Sequence, residues 1–153
     1  MKITANIRFA EFEDVRQIIE LCYLHAIYEK ETYNLDGQLN RLALDLFTEA
    51  PKLYCLVVES NKELIGYATY MKQYTTWDAK EYVYMDCLFI KDFARGLGLG
   101  ERLIRRIQQE SKNIGCSLIQ WQTPEFNTKA IKFYDRIGAH SKSKERFFLE
   151  VDK

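Results

Sequence analysis

Apolar residues recur along the chain with two periods, and the elements change where the period changes. Residues 3–9 alternate loosely, as a first strand would. From Asp14 onward Val15, Ile18, Ile19, Cys22, Ala26 and Ile27 fall on one helical face, which predicts a helix with Asp14 as its N-cap. Leu39, Leu42, Ala43, Leu46 and Phe47 repeat that spacing. This second helix must end before Pro51, because the residue ahead of a proline avoids the helical region. Residues 54–59 and 64–71 are β-rich runs joined by Ser60-Asn61-Lys62-Glu63, and predict a hairpin.

Residues 81–90 form the most apolar strand candidate, and their near-continuous apolarity predicts a central strand buried on both faces. A glycine-rich turn follows. Leu103, Ile104, Ile107 and Ile114 then mark the inner side of a helix over 101–113, closed by Gly115. Residues 116–122 predict a strand, 127–136 a helix with Gly138 after it, and 146–151 a last strand. The order β-α-α-β-β-β-α-β-α-β describes an α/β fold with a mixed sheet rather than an alternating Rossmann chain.

The chain's 153 residues leave room for one domain, residues 1–153. Its 22 basic and 22 acidic residues cancel, which removes the broad field that non-specific binding to nucleic acid or an anionic membrane needs. No stretch approaches the ~20 apolar residues of a membrane span, and residues 1–8 lack the apolar core of a signal peptide, so a cytoplasmic location is expected. Cys22, Cys55, Cys87 and Cys116 are widely separated, form no CxxC pair and have only His25 and His140 to help them. They predict buried, reduced thiols and no metal site.

The strongest local signal is Arg95-Gly96-Leu97-Gly98-Leu99-Gly100 between a strand and a helix. Glycines at alternate positions permit torsions that other residues resist and clear side chains from the approach path, so that backbone N–H groups can face an anion at the helix start. A Walker loop would end in Gly-Lys-Ser/Thr, and a GxGxxG dinucleotide turn would need glycine at 101; the chain continues Gly100-Glu101-Arg102. Both nucleotide readings fail on residues.

The turn resembles the (Arg/Gln)-x-x-Gly-x-Gly/Ala loop of the Gcn5-related N-acetyltransferases (GNAT superfamily). The segment from Asn127 through Ala130, Phe133 and Tyr134 to Gly138-Ala139 resembles that family's second motif. Tyr28-Glu29, Tyr74-x-x-Trp77 and Tyr84-x-Asp86 are similar to features of the spermidine/spermine (diamine) N-acetyltransferases within it. The resemblance implies a single domain with a mixed, mostly antiparallel sheet, a splayed central strand and helices on both faces. It also implies acetyl transfer from acetyl-CoA to a primary amine, such as a polyamine or diamine, by direct attack in a ternary complex, commonly in a homodimer. Another small amine, such as a lysine-like amino acid or an antibiotic amine, and a non-catalytic acyl-CoA-binding module are the alternatives.

Site residues follow by the same resemblance. Backbone groups of Leu88, Phe89 and Ile90 would hold the pantetheine arm and thioester. Arg95, Gly96, Leu97, Gly98, Leu99, Gly100 and Glu101 would hold the diphosphate, with Asn127 and Ala130 as further cofactor contacts. Tyr134 would be the acid: a phenol that titrates near 10 is protonated at neutral pH and can donate to a leaving thiolate. From spacing alone Tyr134 reads equally as a core tyrosine and Asn127 as an N-cap. Asp86 interrupts an apolar run, and a buried lone carboxylate costs several kcal/mol unless it is paired or lines a cavity. The family carries Glu there to bind or deprotonate the amine; a structural aspartate is the other reading. Tyr28, Glu29 and Trp77 complete the implied amine site. Glu31, Asp36, Asp78, Glu81, Tyr33 and Tyr74 flank it or form a solvated face. Glu145, set among Lys142, Lys144 and Arg146, is a loose counterpart of a further substrate acid and points to a small amine rather than a long polycation.

Overall fold

A computed structural model describes residues 3–152, which fall into two units divided between Gln122 and Thr123. The first carries the sheet: β1 (Asn6–Phe9), α1 (Val15–Tyr28), α2 (Gln38–Leu46), β2 (Tyr54–Ser60), β3 (Glu63–Thr75), β4 (Lys80–Ile90), α3 (Leu99–Asn113) and β5 (Ile119–Gln120). Spatial order follows chain order; β1 to β4 are antiparallel, and β5 joins β4 in parallel. The expected mixed, mostly antiparallel α/β fold is therefore present.

Local chemistry sets the turns. Asn61 and Lys62 take φ of 51° and 66°, the left-handed pair that matches a two-residue hairpin to the twist of its strands. Asp14 holds the expected N-cap position of α1, but its side chain makes no capping bond. Its carboxylate accepts from the Glu11 N–H at 2.7 Å and from Arg8 at 2.7 and 3.1 Å, so α1 starts without a side-chain cap. Arg8 also reaches Glu59 at 3.3 Å and so ties β1 and β2 to the start of α1. At the far end of α3, Gly115 takes φ of 81°, and the Gly115 and Cys116 N–H groups close the last carbonyls.

Helices cover both faces of the sheet. Ile18 and Leu21 of α1 and Leu46 of α2 pack on Cys55, Val57, Leu64, Tyr67 and Phe89. The alternate residues Leu56, Val58, Ala68 and Tyr70 point the other way, where Tyr70 comes under the influence of Glu110 and Arg106 of α3. Arg102 and Arg106 donate to the carbonyls of Ala5 and Ile7, which blunts the outer edge of β1.

The sequence expectation for β4 is corrected. Thr69 opposes Cys87 and the next residue, Tyr70, opposes Met85, so Asp86 is an extra, unpaired residue on β4: a β-bulge. It breaks the inward–outward alternation, leaves Asp86 exposed and leaves Tyr84, Cys87 and Leu88 half-exposed, so β4 is not buried on both faces. Past it β4 and β5 diverge. The predicted strand 116–122 shrinks to two residues that pair with Val83 and Tyr84. From Met85 to Ile90 the second edge of β4 faces no strand among the described residues, which is the splay.

In the second unit α4 (Thr128–Arg136) is capped by Asn127, whose side-chain oxygen accepts from the Ala130 N–H at 3.3 Å. The strand predicted over 146–151 does not form; Phe147, Phe148, Leu149 and Val151 are 78–93% exposed. Its β-favouring composition pairs with no strand among the described residues, and an unpaired strand is not stable.

Candidate active site

The glycine turn follows β4. Gly96 and Gly98 take φ of 77° and 81°, and a Cβ on either would project into open space. Glycine is thus required there by backbone conformation, and the approach to the backbone is clear. Gly100 lies inside the first turn of α3, so its left-handed freedom is not used. α3 starts at Leu99, two residues earlier than expected, with Gly98 as a cap that offers no side-chain bond to the first N–H groups. Those donors and the helix dipole favour an anion. Leu97 and Gly98 also wall an open depression of about 580 Å³ beside Arg102, Arg105 and Arg106, which adds positive charge.

Arg95 turns toward the end of α1. Its Nε donates to the Ile90 carbonyl at 2.8 Å, and its guanidinium lies 4.3 Å from the centroid of the Tyr28 ring and 5.3 Å from that of Phe89. The Phe89 ring in turn stacks on His25 at 5.2 Å. One aromatic column therefore runs from the glycine turn to a cavity on the α1 face of the sheet.

That cavity, about 330 Å³, is floored by apolar residues such as Ile18, Leu42 and Leu46. Glu29, Glu31 and Asp86 bring three carboxylates to it, and among the described residues that line it none is Lys or Arg. The bulge brings both Asp86 and Cys87 to the wall; the Cys87 thiol lies 3.7 Å from the Asp86 carboxylate. Burial, with Asp86 nearby, pushes that thiol up to about 12, and burial raises Cys22 also, so both remain protonated near neutral pH. These two thiols line the cavity rather than lying wholly buried as the sequence suggested; Cys55 and Cys116 are buried, and all four are free. Thr69, 5% exposed, also lines the cavity. Its hydroxyl approaches the Cys87 thiol without hydrogen-bond geometry and lacks any other partner. No group of three or more His, Cys, Asp or Glu suited to a metal occurs among the described residues.

The structure thus brings Glu29 and Asp86 together with Glu31 and Tyr33. It does not bring Tyr28 or Trp77 to this cavity: the Tyr28 ring sits against Phe89 and Arg95, and Trp77 is 97% exposed in the loop between β3 and β4. Leu88, Phe89 and Ile90 lie on the splayed part of β4. In the second unit Tyr134 is half-exposed on α4 with its ring 5.3 Å from that of Phe133, and Asn127 acts as the cap. Sequence reasoning does not single out His25, Tyr67 or Thr69. His25 and Glu29 are four apart on a predicted helix, a spacing that could have signalled a pair.

A splayed mixed sheet, with a glycine turn opening a helix after the strand that splays, defines an α/β acyltransferase class. The sequence model of the Acetyltransferase (GNAT) family matches residues 12–139, and the chain belongs to that family. It is accordingly an N-acetyltransferase that uses acetyl-CoA. Thialysine N-epsilon-acetyltransferase of Mus musculus is 27% identical over 154 residues, covering 95% of this chain and 90% of that protein. Spermidine/spermine N(1)-acetyltransferase-like protein 1 of Homo sapiens is 27% identical over 147 residues, 92% of this chain and 21% of that longer protein. Among solved structures, an aminoglycoside N-acetyltransferase AAC(6')-Iy in complex with CoA matches with a TM-score of 0.81 at 18% identity, covering 98% of this chain and 97% of that one. No helix among the described residues is long and apolar enough to cross a membrane.

The residues present fit acetyl-CoA. The open, left-handed Gly96 and Gly98, the uncapped start of α3 and the free edge of β4 are the features a diphosphate and an extended pantetheine arm require.

Proposed function

We propose that the chain acetylates a primary amine of a small polyamine or diamine, by direct attack in a ternary complex. The observation that carries this is the cavity with three carboxylates, an apolar floor and no basic residue among its described lining. Such a lining attracts an alkylammonium and accommodates its methylenes. It offers no cation for the α-carboxylate of a lysine-like amino acid, the reading that the thialysine enzymes favour.

Acetyl-CoA supplies an activated acetyl group when bound. Backbone N–H groups of residues 96–101 would hold its diphosphate, with Arg95 bracing the turn, and main-chain groups of Leu88, Phe89 and Ile90 would hold its arm and polarise the carbonyl. Glu29 and Asp86 bind the ammonium, and Asp86 takes its proton through water. Tyr134 would hold the proton for the departing thiolate, and Asn127 and Ala130 would contribute cofactor contacts. These three follow from the resemblance of residues 127–139 to the family's second motif, and residues 1–153 act as one domain. Tyr28, which braces Arg95, and the exposed Trp77 lie outside the lining of this cavity. Two further readings go with the proposal. The exposed Phe147, Phe148, Leu149 and Val151 support a homodimer, checked by light scattering. The four free thiols support a cytoplasmic location.

Thiol release from acetyl-CoA is measured with 1,4-diaminobutane, spermidine, thialysine and an aminoglycoside. Highest kcat/KM for a diamine or polyamine is expected. Preference for thialysine or the aminoglycoside would move the chain to the second reading, and acyl-CoA binding without turnover on any amine would make it a binding module.

A further inference from the structure

Glu29 occupies an unusual place for a carboxylate. It is the C-cap of α1, where the carbonyl end of the helix repels negative charge. Its side chain nevertheless has one close donor. The His25 Nε2 lies 2.7 Å from the Glu29 carboxylate, and the His25 Nδ1 lies 2.9 Å from the Tyr67 hydroxyl. A carboxylate oxygen accepts, so a hydrogen on Nε2 is directed at Glu29. Tyr67 is 1% exposed, and burial together with the neighbouring Cys87 and Cys22 holds its phenol far above its ordinary range. It keeps its proton, and with a hydrogen on Nε2 the Tyr67 hydroxyl is placed to pair with Nδ1 across the ring. The ring cannot turn freely: it is stacked on Phe89 with planes 22° apart and meets Tyr67 edge-on at 75°.

We propose that His25 is a positioning residue that aims the Glu29 carboxylate into the cavity for the acceptor's ammonium, within the hydrogen-bonded row Tyr67, His25, Glu29. The inference rests on the reading of this cavity as the amine site. His25, Glu29 and Tyr67 all line it, and the row starts from a phenol rooted in the sheet. A Glu free to rotate at a helix end would spend much of its time in solvent. Here two buried rings and one directed N–H hold a single orientation, and side-chain exposures of 13% for His25 and 30% for Glu29 place the donor behind the carboxylate, which keeps the outer side for a ligand. Preorganised acceptors of this kind lower the cost of ordering on binding.

Two substitutions separate the roles of the ring nitrogens. His25→Gln retains an N–H near the position of Nε2, whereas His25→Asn retains a polar group near Nδ1 for Tyr67 and loses the donor to Glu29. With acetyl-CoA and the best diamine, His25→Asn is expected to raise the acceptor KM about tenfold, the scale of a hydrogen bond to a charged group. Its kcat and its KM for acetyl-CoA should stay within about twofold. His25→Gln should stay within about threefold of the parent, and His25→Asn should add nothing in a Glu29→Gln background. Tyr67→Phe, which keeps the buried ring, should raise the acceptor KM about threefold and serves should His25→Asn fail to fold. An acceptor KM unchanged in His25→Asn, or in Tyr67→Phe where only that variant folds, would overturn the proposal while leaving the amine-site reading intact. Absence of turnover with every amine in the parent protein would overturn both.

Discussion

The guanidinium of Arg95 lies 4.3 Å from the centroid of the Tyr28 ring, so the first residue of the glycine turn is braced against the last residue of α1. The same side chain holds the Ile90 carbonyl at 2.8 Å and Asp92 at 2.6 Å. One residue therefore sits at the entrance to the proposed cofactor cradle and, through Phe89 stacked on His25, connects to the wall of the cavity. Arg95→Ala should raise KM for acetyl-CoA and for the amine together, each by about three- to tenfold, since a stacked cation is worth about 1 kcal/mol. A rise in only one of the two constants would show that the column does not link them.

Gly98 caps α3 at φ of 81° with open space where a side chain would project. Gly98→Val combines about 1–2 kcal/mol of backbone strain with a branched side chain over the anion's approach. Calorimetric affinity for acetyl-CoA should fall at least about tenfold. Undiminished affinity in a folded variant would remove the turn from the cofactor site.

In the proposed mechanism Tyr134 protonates the leaving thiolate. Tyr134→Phe keeps the ring beside Phe133 and removes only the hydroxyl. A drop in kcat of about a hundredfold or more, with the acetyl-CoA dissociation constant within about twofold, is the expected outcome. Equal loss in both would reduce the residue to packing.

Acid sensitivity has a definite source in the Arg8–Asp14 pair. The hydrogen bonds from Arg8 hold the Asp14 carboxyl below its usual value, despite partial burial. A carboxylate with a depressed folded-state pKa contributes stability above its unfolded value, about 3.9, and loses it as pH falls through the lower, folded one. Asp14→Asn should therefore cost about 2 kcal/mol at pH 7 and progressively less below about pH 4, as the parent protein loses the same contribution. Denaturant midpoints across pH 2–7 measure this; a gap that does not narrow in acid would assign the loss to something other than the ion pair.

Much of the architecture was legible because it is local. The helical faces of α1, α2 and α3, the hairpin at Asn61-Lys62, the terminating Gly115 and the Asn127 cap each depend on residues within a turn or two of one another. Asp14 takes the expected N-cap position but not the capping bond, because its carboxylate has a stronger partner six positions back in Arg8. The strand over 146–151 was misread because strand composition is local whereas a strand's hydrogen bonds are not. In the candidate site, Glu29, Asp86 and the glycine turn could be named from motifs. The His25–Tyr67 contact joins residues 42 apart and carries no local pattern.

By itself the sequence determined which segments could become helix or strand, where backbone must take glycine torsions, and that the glycine turn suits an anion. Tertiary structure alone decided that Asp86 is exposed on a bulge, that β5 leaves the edge of β4 after two pairs, and that three carboxylates meet over an apolar floor. The physical reason is range. Torsional preference and hydrophobic period are properties of neighbours in the chain, whereas register, burial and the meeting of charges are fixed only when distant strands and helices compete for the same space.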